Sequence, residues 1–107
     1  MTIHDTQKQI ADTLDAVKEL LLKKNEQYGD SVLDPINLFA RHDPIEGIRI
    51  RLDDKYSRLS RGNDSIESDE DIHLDCIGYH VMALIALRRR ATVIPRNDSQ
   101  PLKDLHI

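Results

Sequence analysis

Apolar residues recur along this chain at helical spacing. Ile10, Leu14, Val17 and Leu21 follow steps of four, three and four, which puts them on one stripe of a helix predicted over residues 6–24. Polar side chains fill the rest of that segment. Tyr28-Gly29-Asp30-Ser31 ends it, with Gly29 able to turn where a β-carbon would resist, and a loop or short irregular stretch is expected through Pro35.

A second helix is expected after Asp43. Asp43 can cap it, Pro44 suits its first turn, and Glu46 stands three residues past the cap, where a capping box closes. Ile45, Ile48, Leu52, Tyr56 and Leu59 form its apolar stripe. At about 100° per residue, Asp54 falls nearly opposite that stripe, flanked by Arg51 and Arg58, while Lys55 borders the apolar face. Arg61-Gly62-Asn63-Asp64 stops the helix.

The third helix is predicted from residue 67 or 68 to residue 89 or 90. Its Leu74, Ile77, Val81, Met82, Leu84, Ile85 and Leu87 cover most of the circumference, a pattern that belongs in the middle of a bundle. No strand pattern or internal repeat interrupts the series. The expectation is an all-α fold: a bundle of three main helices per subunit, completed by oligomerisation. Residues 1–94 read as one helical domain. Residues 95–107, with two prolines and mixed polarity, read as a tail that is extended or partly disordered.

Composition narrows the picture. A chain of 107 residues with 39% hydrophobic and 4% aromatic side chains has material for one thin core, for which self-association is a natural remedy. Nineteen acids against fifteen bases give a net charge of −4, which argues against a nucleic acid polymer as partner. The lone Cys76 excludes an internal disulfide framework and suits a reducing cytoplasm. Residues 1–9 lack the basic start and apolar run of a secretory signal. The longest uncharged, largely apolar run, residues 76–87, falls short of the roughly 18 to 20 residues that span a bilayer. A cytoplasmic location and no membrane partner are expected.

The acids are unevenly placed. Half of the residues from Asp64 to Asp75 are acidic, and Glu67, Asp71 and Asp75 fall four apart, which would stack them on one side of the third helix about 6 Å from one another. A solvated first turn that favours the helix dipole accounts for Glu67, Asp69 and Glu70. Asp75 lies deeper, between Leu74 and Cys76, in a stretch that reads as buried on all sides. A carboxylate there must be protonated, paired with a cation from the second helix, or bound to a metal. A hard divalent ion suits stacked carboxylates. Asp54, Lys55 and Arg58 are complementary: Asp54 and Arg58 form either an ordinary exposed ion pair or part of a site, with Asp54 as a further ligand and Lys55 and Arg58 facing a polyphosphate.

Four motifs in this order resemble those of small phage and bacterial MazG-like proteins of the all-α nucleoside triphosphate pyrophosphatase superfamily. They are Lys24 with Tyr28-Gly29-Asp30-Ser31; Asp54-Lys55-Tyr56-Ser57-Arg58-Leu59; Glu67-Ser68-Asp69-Glu70-Asp71; and Asp75-Cys76-Ile77-Gly78-Tyr79 through Met82. The resemblance spans residues 23–82. It implies a Mg²⁺-dependent enzyme, with Mn²⁺ able to substitute, that forms a homodimer or homotetramer. Such an enzyme hydrolyses a (d)NTP to (d)NMP and pyrophosphate, with dGTP or dATP as the substrates suggested by phage-type members. By position it implies Asp71, Asp75, Glu67 and Asp54 as metal ligands. It makes Asp54, Lys55, Asp71 and Asp75 the catalytic set, and Lys24, Tyr28, Lys55 and Arg58 substrate contacts. The chain departs from the broad pattern in that its acids fall four apart rather than three, and its second helix offers Asp53 and Asp54 in place of paired glutamates.

The remaining polar residues read more plainly. His73 and His80 are seven apart, the wrong spacing for a zinc pair on one helix. Arg88-Arg89-Arg90 suits the C-terminal end of a helix dipole. Tyr79 reads as core, with a hydroxyl that could support Asp75. The competing class is a non-catalytic helical oligomer, an adaptor or regulatory protein whose acids only solvate its surface or meet a basic partner.

Overall fold

The structure, a computed structural model, describes residues 1–37, 43–62 and 67–93. It is all-α, with three helices and no strand among the described residues. The chain divides into two compact units, Met1–Ser31 and Val32–Ile107. The predicted tail at residues 95–107 lies outside the described residues.

Helix α1, Ile3–Tyr28, is longer at both ends than apolar spacing indicates. Its start is set by a capping box. The Thr2 hydroxyl accepts from the Asp5 N–H at 3.2 Å, and the Asp5 carboxylate accepts from the Thr2 N–H at 2.9 Å. The bond from the Thr2 N–H foremost, and then one that the Thr2 hydroxyl donates at 3.0 Å, hold the Asp5 carboxyl below the usual carboxylate range. At the other end Gly29 takes φ 70°, and its N–H donates to the Asn25 carbonyl at 2.7 Å. Of the predicted stripe, Val17 is buried and Leu21 half-buried, whereas Ile10 and Leu14 are exposed.

Helix α2, Pro44–Arg61, starts where Asp43 predicts. The Asp43 side chain accepts from the Glu46 N–H at 3.1 Å. The Glu46 carboxylate does not fill the capping-box role expected of it. It pairs instead with Arg49, one turn along. Helix α3, Asp69–Val93, is capped by Ser68, whose hydroxyl accepts from the Asp71 N–H at 3.1 Å while its carbonyl accepts from the Ile72 N–H. Asp69, Glu70 and Asp71 then occupy the dipole-favoured first turn.

Helices α2 and α3 pack together within the second unit. Ile48 and Leu52 from α2 meet Ile72 and Cys76 from α3, with Leu59, Tyr79, Met82 and Ala83 packed around them. Ile48 and Ile72 are essentially inaccessible to solvent, so each contributes about 1.5–3 kcal/mol of hydrophobic stabilisation. The expected central position of α3 is met on only part of its surface. Ile77 is exposed, and residues 81–87 are each half-buried rather than enclosed.

Candidate functional site

The seam between α2 and α3 carries a chain of ion pairs of alternating sign. On α2, Asp54 and Arg58 stand one turn apart, and Asp54 Oδ2 lies 2.9 Å from Arg58 Nη2. Arg58 Nη1 reaches Glu67 Oε2 at 2.8 Å. The second oxygen of that carboxylate, Glu67 Oε1, accepts from Lys55 Nζ at 2.7 Å, and Lys55 Nζ lies 2.9 Å from Asp75 Oδ2 on α3. Three carboxylates and two cations thus form one continuous cluster.

Burial varies along this chain. The Asp54–Arg58 end is open to water, whereas the Lys55 side chain is only 12% exposed and its two carboxylate partners 21% and 25%. The difference follows from α2 geometry: Lys55 borders the face that carries Leu52 and Leu59, so its stem lies along the core and its ammonium emerges at the seam. Burial by itself lowers the ammonium pKa. The hydrogen bonds it donates to Asp75 and Glu67, reinforced by their charges, outweigh that effect and hold it above the usual lysine value. The Arg58 guanidinium is likewise held up, first by its hydrogen bond to Glu67 and then by the charge of Asp54.

Helical spacing predicts Glu67, Asp71 and Asp75 on one ladder, and the structure corrects this. Ser68 takes the cap, so α3 begins at Asp69 and Glu67 precedes the helix. From there Glu67 turns to Lys55 and Arg58. Asp71 sits exposed on the first turn of α3. Asp75, expected to be enclosed on all sides, is half-buried and meets Lys55. Of the open possibilities for Asp75, the structure shows pairing with a cation from the second helix. Lys24 and Tyr28 belong to the last two turns of α1, in the first unit, with Tyr28 exposed.

Three partnerships had no signal in the sequence. Tyr56, expected in the apolar stripe, is exposed and shares a hydrogen bond of 2.8 Å with His80 Nε2. Arg51 stacks over the Tyr79 ring, its guanidinium carbon 5.8 Å from the ring centre. Arg90 lies 3.4 Å from Asp43, joining the last turn of α3 to the cap of α2. The i, i+24, i, i+28 and i, i+47 separations involved are invisible to any local pattern. Cys76 is a buried free thiol, raised in pKa by burial and then by the Asp75 charge.

Among the described residues no three His, Cys, Asp or Glu side chains are grouped to hold a metal ion. Two carboxylate oxygens, Glu67 Oε1 and Asp75 Oδ2, do converge on one cationic nitrogen. That donor set fits Mg²⁺, which commonly takes one or two protein carboxylates and completes its shell with water and substrate phosphates. Compared with models of known protein families, with curated proteins and with solved structures, the chain matches none.

Proposed function

We propose that the chain is a metal-dependent nucleoside triphosphate pyrophosphatase, converting a (d)NTP such as dGTP or dATP to (d)NMP and pyrophosphate. The observation that supports this is the meeting of Asp54, Lys55, Arg58, Glu67 and Asp75 in one partly buried cluster on α2 and α3. Convergent hard oxygens beside forked and point cations form a combination suited to a polyphosphate carrying a divalent ion.

Glu67 and Asp75 would hold the ion, with Asp71 and Asp54 as further ligands. Bound there, Mg²⁺ or Mn²⁺ would neutralise the triphosphate and acidify an attacking water. The chain's own residues bind and orient. Arg58, exposed and forked, grips a phosphate, and Lys55 supplies a point charge to the oxygen on which negative charge accumulates as pyrophosphate leaves. In the reaction a water oxygen bonds to the α-phosphorus and gives up its proton to solvent, the bond from that phosphorus to the oxygen bridging the α and β phosphates breaks, and the bridging oxygen leaves with pyrophosphate.

The proposed assembly is a homodimer or homotetramer in the cytoplasm. The exposed Ile10, Leu14 and Ile77 and the half-buried stretch at residues 81–87 are the surfaces that favour association. No helix among the described residues is long and apolar enough to cross a membrane. A second reading, a non-catalytic helical oligomer, is favoured by the same ion pairs acting as a clasp between helices. A panel of nucleoside triphosphates with Mg²⁺ or Mn²⁺ separates the two. Monophosphate plus pyrophosphate supports the enzyme; diphosphate plus phosphate, or no turnover, removes it.

A further inference from the structure

The best-covered charge in the cluster is a lysine, and it stands where an ion would. Lys55 Nζ contacts Glu67 and Asp75 at 2.7 and 2.9 Å, with its side chain 12% exposed. A bare divalent ion entering between these carboxylates has to displace the ammonium and break two charge-assisted hydrogen bonds. If the ammonium stayed, it would repel the ion across a few ångströms of partly desolvated space. A polyphosphate changes this balance by offering the ammonium a new anionic partner as the ion takes the carboxylates.

We propose that Lys55 is a tethered counter-ion, holding the position between Glu67 and Asp75 in the ligand-free protein and yielding it when a polyphosphate brings its divalent ion. This rests on the pyrophosphatase reading and adds an order to it. Ion and polyphosphate bind as a coupled pair, and the bare ion binds weakly. Lys55 is thereby both the residue that excludes the ion in the free protein and a phosphate contact in the complex.

The test is Mn²⁺ binding without nucleotide, read from the electron paramagnetic resonance signal of free Mn²⁺. Lys55→Gln removes the competing charge and is expected to bind Mn²⁺ about tenfold more tightly than the unsubstituted protein, while Lys55→Arg stays weak. If Lys55→Gln binds Mn²⁺ no more tightly than the unsubstituted protein, the counter-ion role is overturned and the pyrophosphatase reading survives. If Mn²⁺ binds to neither protein, with inorganic triphosphate present or without it, both fall together. Should Lys55→Gln fail to fold, the unsubstituted protein decides by itself. Adding Mg²⁺ with inorganic triphosphate must shift the ¹⁵Nζ resonance of Lys55, and an unmoved resonance at saturation overturns the proposal.

Discussion

Glu67 Oε1 lies 2.7 Å from Lys55 Nζ, so a carboxylate just outside α3 is fastened to the middle of α2. The same carboxylate holds Arg58 through its other oxygen. Glu67 is therefore the link between the open and covered ends of the ion-pair chain.

Removing that link should cost stability. Glu67→Gln keeps the shape of the side chain and removes the charge that both cations share. With Glu67 partly solvated, the expected loss through its pair with Lys55 is about 1–3 kcal/mol, read from urea unfolding. Asp54→Asn, at the exposed end, should leave the midpoint nearly unchanged. Equal effects for the two variants would contradict the burial gradient.

Alkaline pH should release the Lys55 clasp. Its pKa in the folded chain is raised, so its contribution is fully present below the ordinary lysine pKa of about 10.4 and is lost as pH climbs through the higher folded value. Thermal melts should fall on that alkaline limb, and Lys55→Met should flatten it. An undiminished limb in the variant would refute the assignment.

Acid should act through the α2 cap. Asp43 is lowered first by the hydrogen bond from the Glu46 backbone, so its contribution is present above the ordinary aspartate pKa and disappears as pH falls through the folded value. Asp43→Asn retains a capping oxygen without the charge, and its melting temperature should depend less on pH in that acidic range.

The α2–α3 core should be sensitive at one isoleucine and tolerant at another. Ile72→Ala empties a site with no solvent exposure and should cost about 2–5 kcal/mol. Ile77→Ala, on an exposed position of the same helix, should cost far less to the monomer. Comparable losses at low protein concentration would mean that Ile77 is covered within the chain.

The sequence made the helices readable because each carries a local signal. Asp43-Pro44 marked the start of α2 and Gly29 the end of α1, and the stripe of Ile45, Ile48 and Leu52 named the buried face. The site was legible as residue types and less so as geometry. A spacing of four stacks Glu67, Asp71 and Asp75 only if all three lie within the helix, and a serine at 68 competes for the cap. The partner of Asp75 depends on how α2 and α3 pack, and a period of 3.6 residues carries no information about that. The start of α1 was missed because the Thr2–Asp5 capping box lies outside the apolar stripe.

The most direct measurement follows the phosphates of a deoxynucleoside triphosphate by ³¹P nuclear magnetic resonance, with Mg²⁺ present, for the unsubstituted protein and for Asp75→Asn. The expected result is monophosphate and pyrophosphate appearing in equal amounts with the unsubstituted protein and not with Asp75→Asn, while circular dichroism shows both helical. Pyrophosphate release that persists in Asp75→Asn, or no release from any triphosphate by the unsubstituted protein, would contradict the account.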